Sequence, residues 1–248
     1  MKRTSAAWCS ALVMGVLAGS VALAQPGVKE KPAKPVTPTT PAAATPGTTK
    51  VPAAPAAPVK GQPEITGVPE GMQLPEGWTQ EDMMACMQAS TPGEQHAMLA
   101  KEAGTWSGKS TMWMGPTSEG VVTQSSSVVT SIMDGRYMHI EWSGEMPGAG
   151  PYMGSGLVGF DNVSQKYFAT WIDNMGTGLM VGEGQASADG KTMTINYKYN
   201  CPITKKPTTM REVETVTGAN SKTIEMFTTD PKSGKEFRMM KSELTRKG

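Results

Sequence analysis

The C-terminal part of the chain, from Gly104 to Arg246, is a series of short segments in which apolar and polar residues alternate. Gly, Pro and Asp residues separate the segments, and no stretch repeats its apolar residues with a helical period. In the segment that begins at Tyr137, for example, Met138, Ile140 and Trp142 fall on one face of a strand. This spacing predicts an all-β fold with about ten antiparallel strands, either a sandwich or a closed up-and-down barrel.

Two short helices are predicted ahead of the strands, within residues 78–103. The first has Thr79 as its N-cap. For the second, Thr91 is the expected N-cap, with Pro92 at the first helical position and Glu94 at the third. This is the pattern of a capping box with a favourable proline. We therefore expect a helical segment over residues 78–103 and a β-barrel domain over residues 104–248.

The N-terminal part of the chain has two compositions. Lys2 and Arg3 precede an apolar run that ends in small residues at Ala24, which predicts a signal peptide over residues 1–24. Residues 25–77 are rich in Pro, Ala and Thr and have almost no large apolar side chains, which predicts a disordered linker. We expect an exported protein, periplasmic or extracellular, with no membrane span after signal cleavage.

The net charge of +1 argues against a nucleic-acid partner, because such proteins normally present a basic surface. The sequence indicates no oligomeric state.

Two of the three cysteines, Cys86 and Cys201, lie outside the predicted signal peptide. Export would permit a disulfide between them. Separation in sequence does not establish that their Cα atoms come within bridging distance, so a bridge and two free thiols both remain open.

Gly104-Thr105-Trp106 resembles the Gly-x-Trp opening of the calycin superfamily, which includes lipocalins and fatty-acid-binding proteins. The resemblance implies a calycin-like barrel in which the Trp closes one end beneath an Arg of the last strand. In a barrel with an even number of up-and-down strands, the last strand ends beside the start of the first. Arg246 is therefore the expected partner of Trp106, with Arg238 as the second candidate.

A larger set of motifs resembles domain-of-unknown-function family 1579, a family of exported bacterial proteins. The resemblance covers residues 93–247 and implies a calycin-like fold but no activity. The matching segments are His96-Ala97-Met98-Leu99, Gly104-Thr105-Trp106, Gly135-Arg136-Tyr137, Gly159-Phe160-Asp161-Asn162 and Trp171-Ile172-Asp173-Asn174-Met175-Gly176-Thr177-Gly178.

Several polar and aromatic residues are candidates for contacting a ligand in the lumen. Tyr137, His139 and Glu141 share one face of a strand, which would be a luminal cluster if it faces inward and ordinary surface if it faces outward. Trp171 and Asp173 share a face beside a glycine-rich turn, where Asp173 is expected to bond backbone amides of the turn. Arg136, in the turn before Tyr137, completes the candidate set.

No nucleophile elbow, phosphate loop or dinucleotide fingerprint occurs in the sequence, so no catalytic residue, cofactor or metal is predicted. The leading hypothesis is a barrel that binds a small apolar or amphipathic molecule, or a purely structural domain.

Two alternatives remain open. One is an enzyme of unknown type that uses the region of Asp173, Glu141 and His139. The other is Cu(I) binding by the sulfur atoms of a predicted helix, because soft ligands suit Cu(I). Those sulfur atoms belong to Met83, Met84, Cys86 and Met87. The chain has twenty methionines, most of which are expected to fill the core or line the lumen.

Overall fold

The structure is a computed structural model that describes residues 67, 71 and 73–247. The predicted signal peptide, residues 1–24, and most of the predicted linker, residues 25–77, lie outside the described residues. Within the described part, no helix has the length and hydropathy needed to span a membrane.

Two short helices precede the strands. Helix α1 covers Gln80–Ser90 and begins as predicted, since Thr79 and Asp82 form a reciprocal capping box. Helix α2 covers Glu94–Ala100, and its N-cap is Gly93.

The prediction that Thr91 caps α2 is wrong. The Thr91 hydroxyl donates to the backbone carbonyl of Met87, and its backbone N–H donates to the backbone carbonyl of Gln88, so Thr91 closes α1. At α2, the Nδ1 atom of His96 accepts a hydrogen bond from the backbone N–H of Gly93 at 3.1 Å. Gly93 therefore stands at the N-cap in place of Thr91, and buried His96, at the third helical position, takes the role predicted for Glu94.

Ten strands follow the helices. Their bounds are β1 Gly104–Met112, β2 Val121–Ile132, β3 Tyr137–Met146, β4 Gly150–Asp161, β5 Lys166–Asp173, β6 Met180–Ala186, β7 Thr192–Asn200, β8 Pro207–Gly218, β9 Ser221–Thr229 and β10 Glu236–Arg246.

The strands form one closed antiparallel barrel in sequence order, with β1 paired to β10. This confirms the predicted up-and-down barrel. Strand direction defines two ends. The base holds the starts of β1, β3, β5, β7 and β9, and the mouth is the opposite end.

The period-two pattern sets which side chains fill the barrel. On β4, for example, the inward residues Tyr152, Val158 and Phe160 are buried, whereas Met153 and Leu157 point outward and are exposed. Most of the buried apolar side chains come from inward positions of this kind. They include Trp106, Met112, Val129, Met138, Met146, Tyr167, Ala169, Met180, Ile195, Tyr197, Met210, Ile224, Met240 and Leu244.

The helices pack against the base. Asn162, in the turn between β4 and β5, donates to the backbone carbonyls of Ala89 and Thr91 at 3.0 and 2.8 Å. The ring of His96 packs edge-on against Phe160, with centroids 5.9 Å apart. These contacts tie α1 and α2 to the base and leave the mouth to the loops between strands.

Candidate functional site

The base of the lumen is closed by an indole ring under two cations. Trp106 is 2% exposed, and its Nε1 donates to the carbonyl of Glu102 at 2.9 Å. The guanidinium carbon of Arg246 lies 4.2 Å from the ring centroid, and the Lys222 ammonium lies 4.5 Å from it. Arg246 also donates to the carbonyls of Lys101 and Ala103, which links the last strand to the segment before β1. This contact therefore connects β1, the first strand of the barrel, with β10, the last.

Gly104 makes room for this arrangement. Its φ of +137° lies in the region that side chains rarely adopt, and an added Cβ would sit 2.9 Å from Nη1 of Arg246. The glycine therefore serves both the backbone turn into β1 and the close approach of the guanidinium.

Lys222 is the centre of a buried ion cluster just inside the base. Its Nζ lies 3.0 Å from a carboxylate oxygen of Glu214 and 3.0 Å from one of Glu102. Burial disfavours the charged ammonium, but the two carboxylates outweigh it and raise the pKa of Lys222 above its ordinary value. The positive charge of Lys222 is therefore fully engaged inside the protein.

Glu212 lies one inward position from Glu214 on β8 and has a different environment. Its carboxyl has no hydrogen-bond or ion-pair partner in the part of the chain that the structure describes. Burial, reinforced by the neighbouring charge of Glu214, raises its pKa to about 8. Glu212 is therefore a largely protonated carboxyl at neutral pH.

A cavity of about 70 Å³ occupies the lumen above the ion cluster. It also touches the exposed residue Glu145, which puts one end of the cavity at the molecular surface. Its walls are formed mainly by aliphatic, aromatic and Met side chains, among them Met112, Val129, Ile140, Trp142, Met146, Tyr152, Val158, Trp171, Tyr197, Ile224, Met226, Met240 and Leu244.

One wall of the lumen carries hydroxyl groups. Ser110 on β1 bonds Ser125 on β2 and Ser242 on β10, each at 2.7 Å between oxygens. All three residues are buried, and Ser110 and Ser125 line the cavity. The hydroxyls satisfy one another, so this wall is polar without carrying charge.

A second polar group lies at the mouth. Trp171 Nε1 donates to the Tyr152 hydroxyl at 2.9 Å, and that hydroxyl lies 3.5 Å from Oδ2 of Asp173. Burial raises the pKa of Asp173, against the opposing hydrogen bonds from the amides of Met175 and Gly176. Burial likewise raises the pKa of Tyr152, so the phenol is neutral. The amide bonds confirm the interpretation that Asp173 holds the turn after β5.

The structure does not bring the predicted ligand residues together. Tyr137, His139 and Glu141 lie on the outer face of β3, and His139 Nε2 bonds the hydroxyl of Ser155 on the outer face of β4 at 2.8 Å. Arg136 remains in the turn before β3, where it donates to the carbonyl of Met133.

Trp171 and Asp173 are the two predicted ligand residues that the structure places at the lumen. Trp171 lines the cavity, and Asp173 lies beside it at the mouth.

Sequence reasoning missed the charged residues of the lumen. Glu212 and Glu214 alternate in phase with Met210, and Lys222 alternates in phase with Ile224. This shared alternation could have indicated that the charged residues face the lumen, because charged residues on the same strand face as core residues can point inward. Glu102, which follows α2 and completes the cluster, carried no comparable pattern.

The disulfide considered between Cys86 and Cys201 is not formed, and both are free thiols. Cys86 is exposed on α1, which packs at the base, whereas Cys201 is buried directly after β7, at the mouth. The length of the barrel therefore separates them.

The sulfur atoms of the copper hypothesis lie on α1, where Met83, Met84 and Met87 are half-buried and Cys86 is exposed. Across the described residues, no group of three or more His, Cys, Asp and Glu side chains is arranged to hold a metal ion.

Residues 91–246 match the model of a family described as "Protein of unknown function (DUF1579)". The chain belongs to this family. The match begins within the helical segment and includes all ten strands, so the closed antiparallel barrel is the family's domain. No curated protein matches the chain.

Two solved structures resemble the chain at low sequence identity. The crystal structure of Rv2717c from M. tuberculosis matches with a TM-score of 0.49 and 12% identity, covering 63% of this chain and 99% of that chain. The S-type phycobiliprotein lyase CPES from Guillardia theta matches with a TM-score of 0.46 and 11% identity, covering 63% of this chain and 99% of that chain.

Proposed function

We propose that the barrel binds one small apolar or amphipathic molecule in its lumen and catalyses no reaction on it. The observation that carries the proposal is the cavity above the Lys222 cluster, which side chains leave unfilled and which reaches the surface near Glu145. Binding pockets for small molecules have this composition, with apolar walls and few polar groups.

The size of the cavity favours a compact ligand. A volume of about 70 Å³ corresponds to roughly five to seven water molecules at the 10–15 Å³ that each needs. Four of the residues that line the cavity are methionines. Their unbranched side chains change rotamer easily, which allows the cavity to admit somewhat larger molecules. These methionines are Met112, Met146, Met226 and Met240.

The placement of the candidate residues favours binding over catalysis. An enzyme built on Asp173, Glu141 and His139 would need the three side chains around one substrate. His139 and Glu141 point away from the lumen, and Asp173 is engaged with the turn after β5. The other histidine, His96, is buried at the start of α2, and burial lowers its pKa.

We also propose, from the N-terminal sequence, that the protein functions after export. Cell fractionation with N-terminal sequencing of the mature chain tests this, and a new terminus at Gln25 is the expected result.

Binding can be tested by NMR with a series of linear alcohols from 1-butanol to 1-decanol. The indole N–H signals of Trp142 and Trp171, which line the cavity, are expected to shift and saturate. Those of Trp78 and Trp113, which lie outside the cavity, serve as internal references. A maximum in affinity at an intermediate chain length would follow from the limited volume.

Ile140→Phe fills the cavity, whereas Leu157→Phe makes the same type of change on the outer face of β4. We expect at least a tenfold loss of alcohol affinity in the first variant and none in the second. Shifts that do not saturate, or equal effects of the two variants, would contradict binding in the lumen.

A further inference from the structure

Within the part of the chain that the structure describes, one carboxyl group on the inner face of the barrel has no cation within ion-pair distance. Glu212 lies near the middle of β8, where its register partners are Ile195 on β7 and Met226 on β9. Neither neighbour offers a hydrogen-bond donor from its side chain. Glu212 lines the cavity, so its carboxyl is available to a molecule bound there.

The charges of the lumen favour a positive ligand. Lys222 is the one basic residue among the described side chains that line the cavity, and it is shared by Glu214 and Glu102. Two carboxylates on one ammonium leave an excess negative charge even before Glu212 ionises. The Arg246 guanidinium is held outside the cavity by backbone carbonyls.

Aromatic rings surround the same space. Trp142, Trp171, Tyr152 and Tyr197 all line the cavity, and their faces attract cations through the ring quadrupole. An anion would meet excess negative charge and aromatic faces, whereas an ammonium group would meet a carboxyl and electron-rich rings. The negative charge and the aromatic rings therefore both favour a positively charged ligand.

We propose that the ligand is a small organic cation, with an ammonium group bound to Glu212 and an apolar body against the aromatic and aliphatic walls of the cavity. This inference rests on the proposed function and adds the ligand class and the anchoring residue. The apolar body would extend toward Ile140, Val158 and Trp171, which lie across the lumen from β8.

Binding of such a cation is linked to proton release. The groups that face Glu212 are Glu214 on its own strand, Lys222 on β9, Tyr197 on β7 and Tyr152 on β4. Burial raises the pKa values of both tyrosines, and carboxylates raise that of Lys222, so neither the tyrosines nor the lysine change charge between pH 7 and pH 9.

With a pKa of about 8, Glu212 is about one-tenth ionised at pH 7 and about nine-tenths ionised at pH 9. Cation affinity should therefore rise about tenfold over that interval. A simple alkylammonium stays charged throughout, because its own pKa is close to that of lysine.

The experiment compares three probes of equal chain length, hexylammonium, 1-hexanol and hexanoate, by titration calorimetry at pH 7 and pH 9. We expect hexylammonium to bind most tightly and about tenfold more tightly at pH 9, with 1-hexanol independent of pH. At pH 7, measurements in two buffers of different ionisation enthalpy should show release of nearly one proton.

Glu212→Gln keeps the shape of the side chain and removes its charge, and Glu183→Gln makes the same change on the outer face of β6. Hexylammonium affinity at pH 9 should fall at least tenfold in the first variant and stay unchanged in the second. If Glu212→Gln does not fold, the pH dependence of hexylammonium affinity and the proton release of the wild-type protein still test whether a carboxyl group binds the cation.

Binding of 1-hexanol together with equal or weaker binding of hexylammonium would overturn the cation inference and leave the proposed function intact. The same holds if hexanoate binds as tightly as hexylammonium. Absence of binding by all three probes would overturn both proposals.

Discussion

Lys222 and Glu212 show how differently two ionisable groups inside the barrel behave when only one has ion-pair partners. Lys222 keeps its charge because two carboxylates lie 3.0 Å from its Nζ. Glu212 has no such partner within the described part of the chain, and burial together with Glu214 favours its neutral form. Removal of Glu214 or Glu102 would leave the buried ammonium of Lys222 with one carboxylate fewer. The resulting loss of folding free energy is larger than the net stability that the intact ion pair contributes.

The free energy of unfolding should fall as the pH rises above 6.5. The pKa of Glu212 is about 8 in the folded protein against an ordinary 4.5, so the folded state holds a proton that the unfolded state has lost. One retained proton lowers stability by about 1.4 kcal/mol per pH unit, which gives about 2 kcal/mol between pH 6.5 and pH 8. Two groups with lowered folded pKa values have the opposite effect. Buried His96 acts only below about pH 6.5, and Cys201 makes the decline smaller as the pH approaches its ordinary pKa of 9.0.

Urea unfolding at pH 6.5, 7.5 and 8.5 measures this slope. Glu212→Gln should abolish most of the decline, whereas Glu183→Gln, a change on the outer surface, should retain it. A decline of equal size in both variants would show that another group carries the linkage.

The strands and the first helix follow directly from local patterns, whereas the start of the second helix does not. Thr91 and Glu94 have the spacing of a capping box, but the Thr91 hydroxyl reaches back to Met87 and ends α1. A sequence pattern cannot distinguish a threonine that begins one helix from one that ends the preceding helix, because its hydroxyl can bond backbone in either direction. The packing of His96 against Phe160 places the histidine where it can cap α2.

Helix α1 should depend on one asparagine for its attachment to the barrel. Asn162 donates to two carbonyls at the end of α1, and no residue of α1 is fully buried. Asn162→Ala should therefore release the helix, with amide exchange at least about tenfold faster in α1 and unchanged in the strands.

Hydrogen exchange read by mass spectrometry or NMR distinguishes the two regions. Asn174→Ala is the matched control, because Asn174 makes comparable bonds to the backbone of Pro151 and Met153 at the mouth. Faster exchange throughout the barrel in Asn162→Ala would contradict a local role for this residue.

Closure of the whole barrel depends on the meeting of its first and last strands. The register of β1 and β10 puts Trp106 directly opposite Arg246, and the arginine also bonds the segment before β1. Contacts this distant in sequence form only when the barrel closes. They stabilise the complete fold rather than any single hairpin.

Arg246→Ala should lower the free energy of unfolding by about 2–3 kcal/mol, since it removes a ring contact, leaves the partly buried carbonyl of Ala103 without its donor and removes an exposed bond to Lys101. Arg238→Ala is the matched control, because Arg238 lies over Trp113 at 4.6 Å on the exposed surface and pairs with Glu225. Its loss should cost about 1 kcal/mol or less. Urea unfolding of both variants checks the difference, and equal losses would contradict a special role for the base.

The sequence by itself determined the number of strands and their approximate bounds, because alternation and turn residues are local properties of the chain. The same pattern fits a sandwich or a barrel, and the closed barrel was what the family resemblance implied. The pairing of Trp106 with Arg246 is also what strand direction predicts for an even-stranded barrel.

The tertiary structure decided which strand faces point inward where both faces carry polar residues, as on β3 and β8. Closure turned His139 and Glu141 toward solvent and Glu212 and Glu214 toward the lumen. It also placed Cys86 and Cys201 at opposite ends of the barrel. The environment of a side chain is set by residues far away in sequence, and alternation alone gives two equivalent faces until the barrel closes.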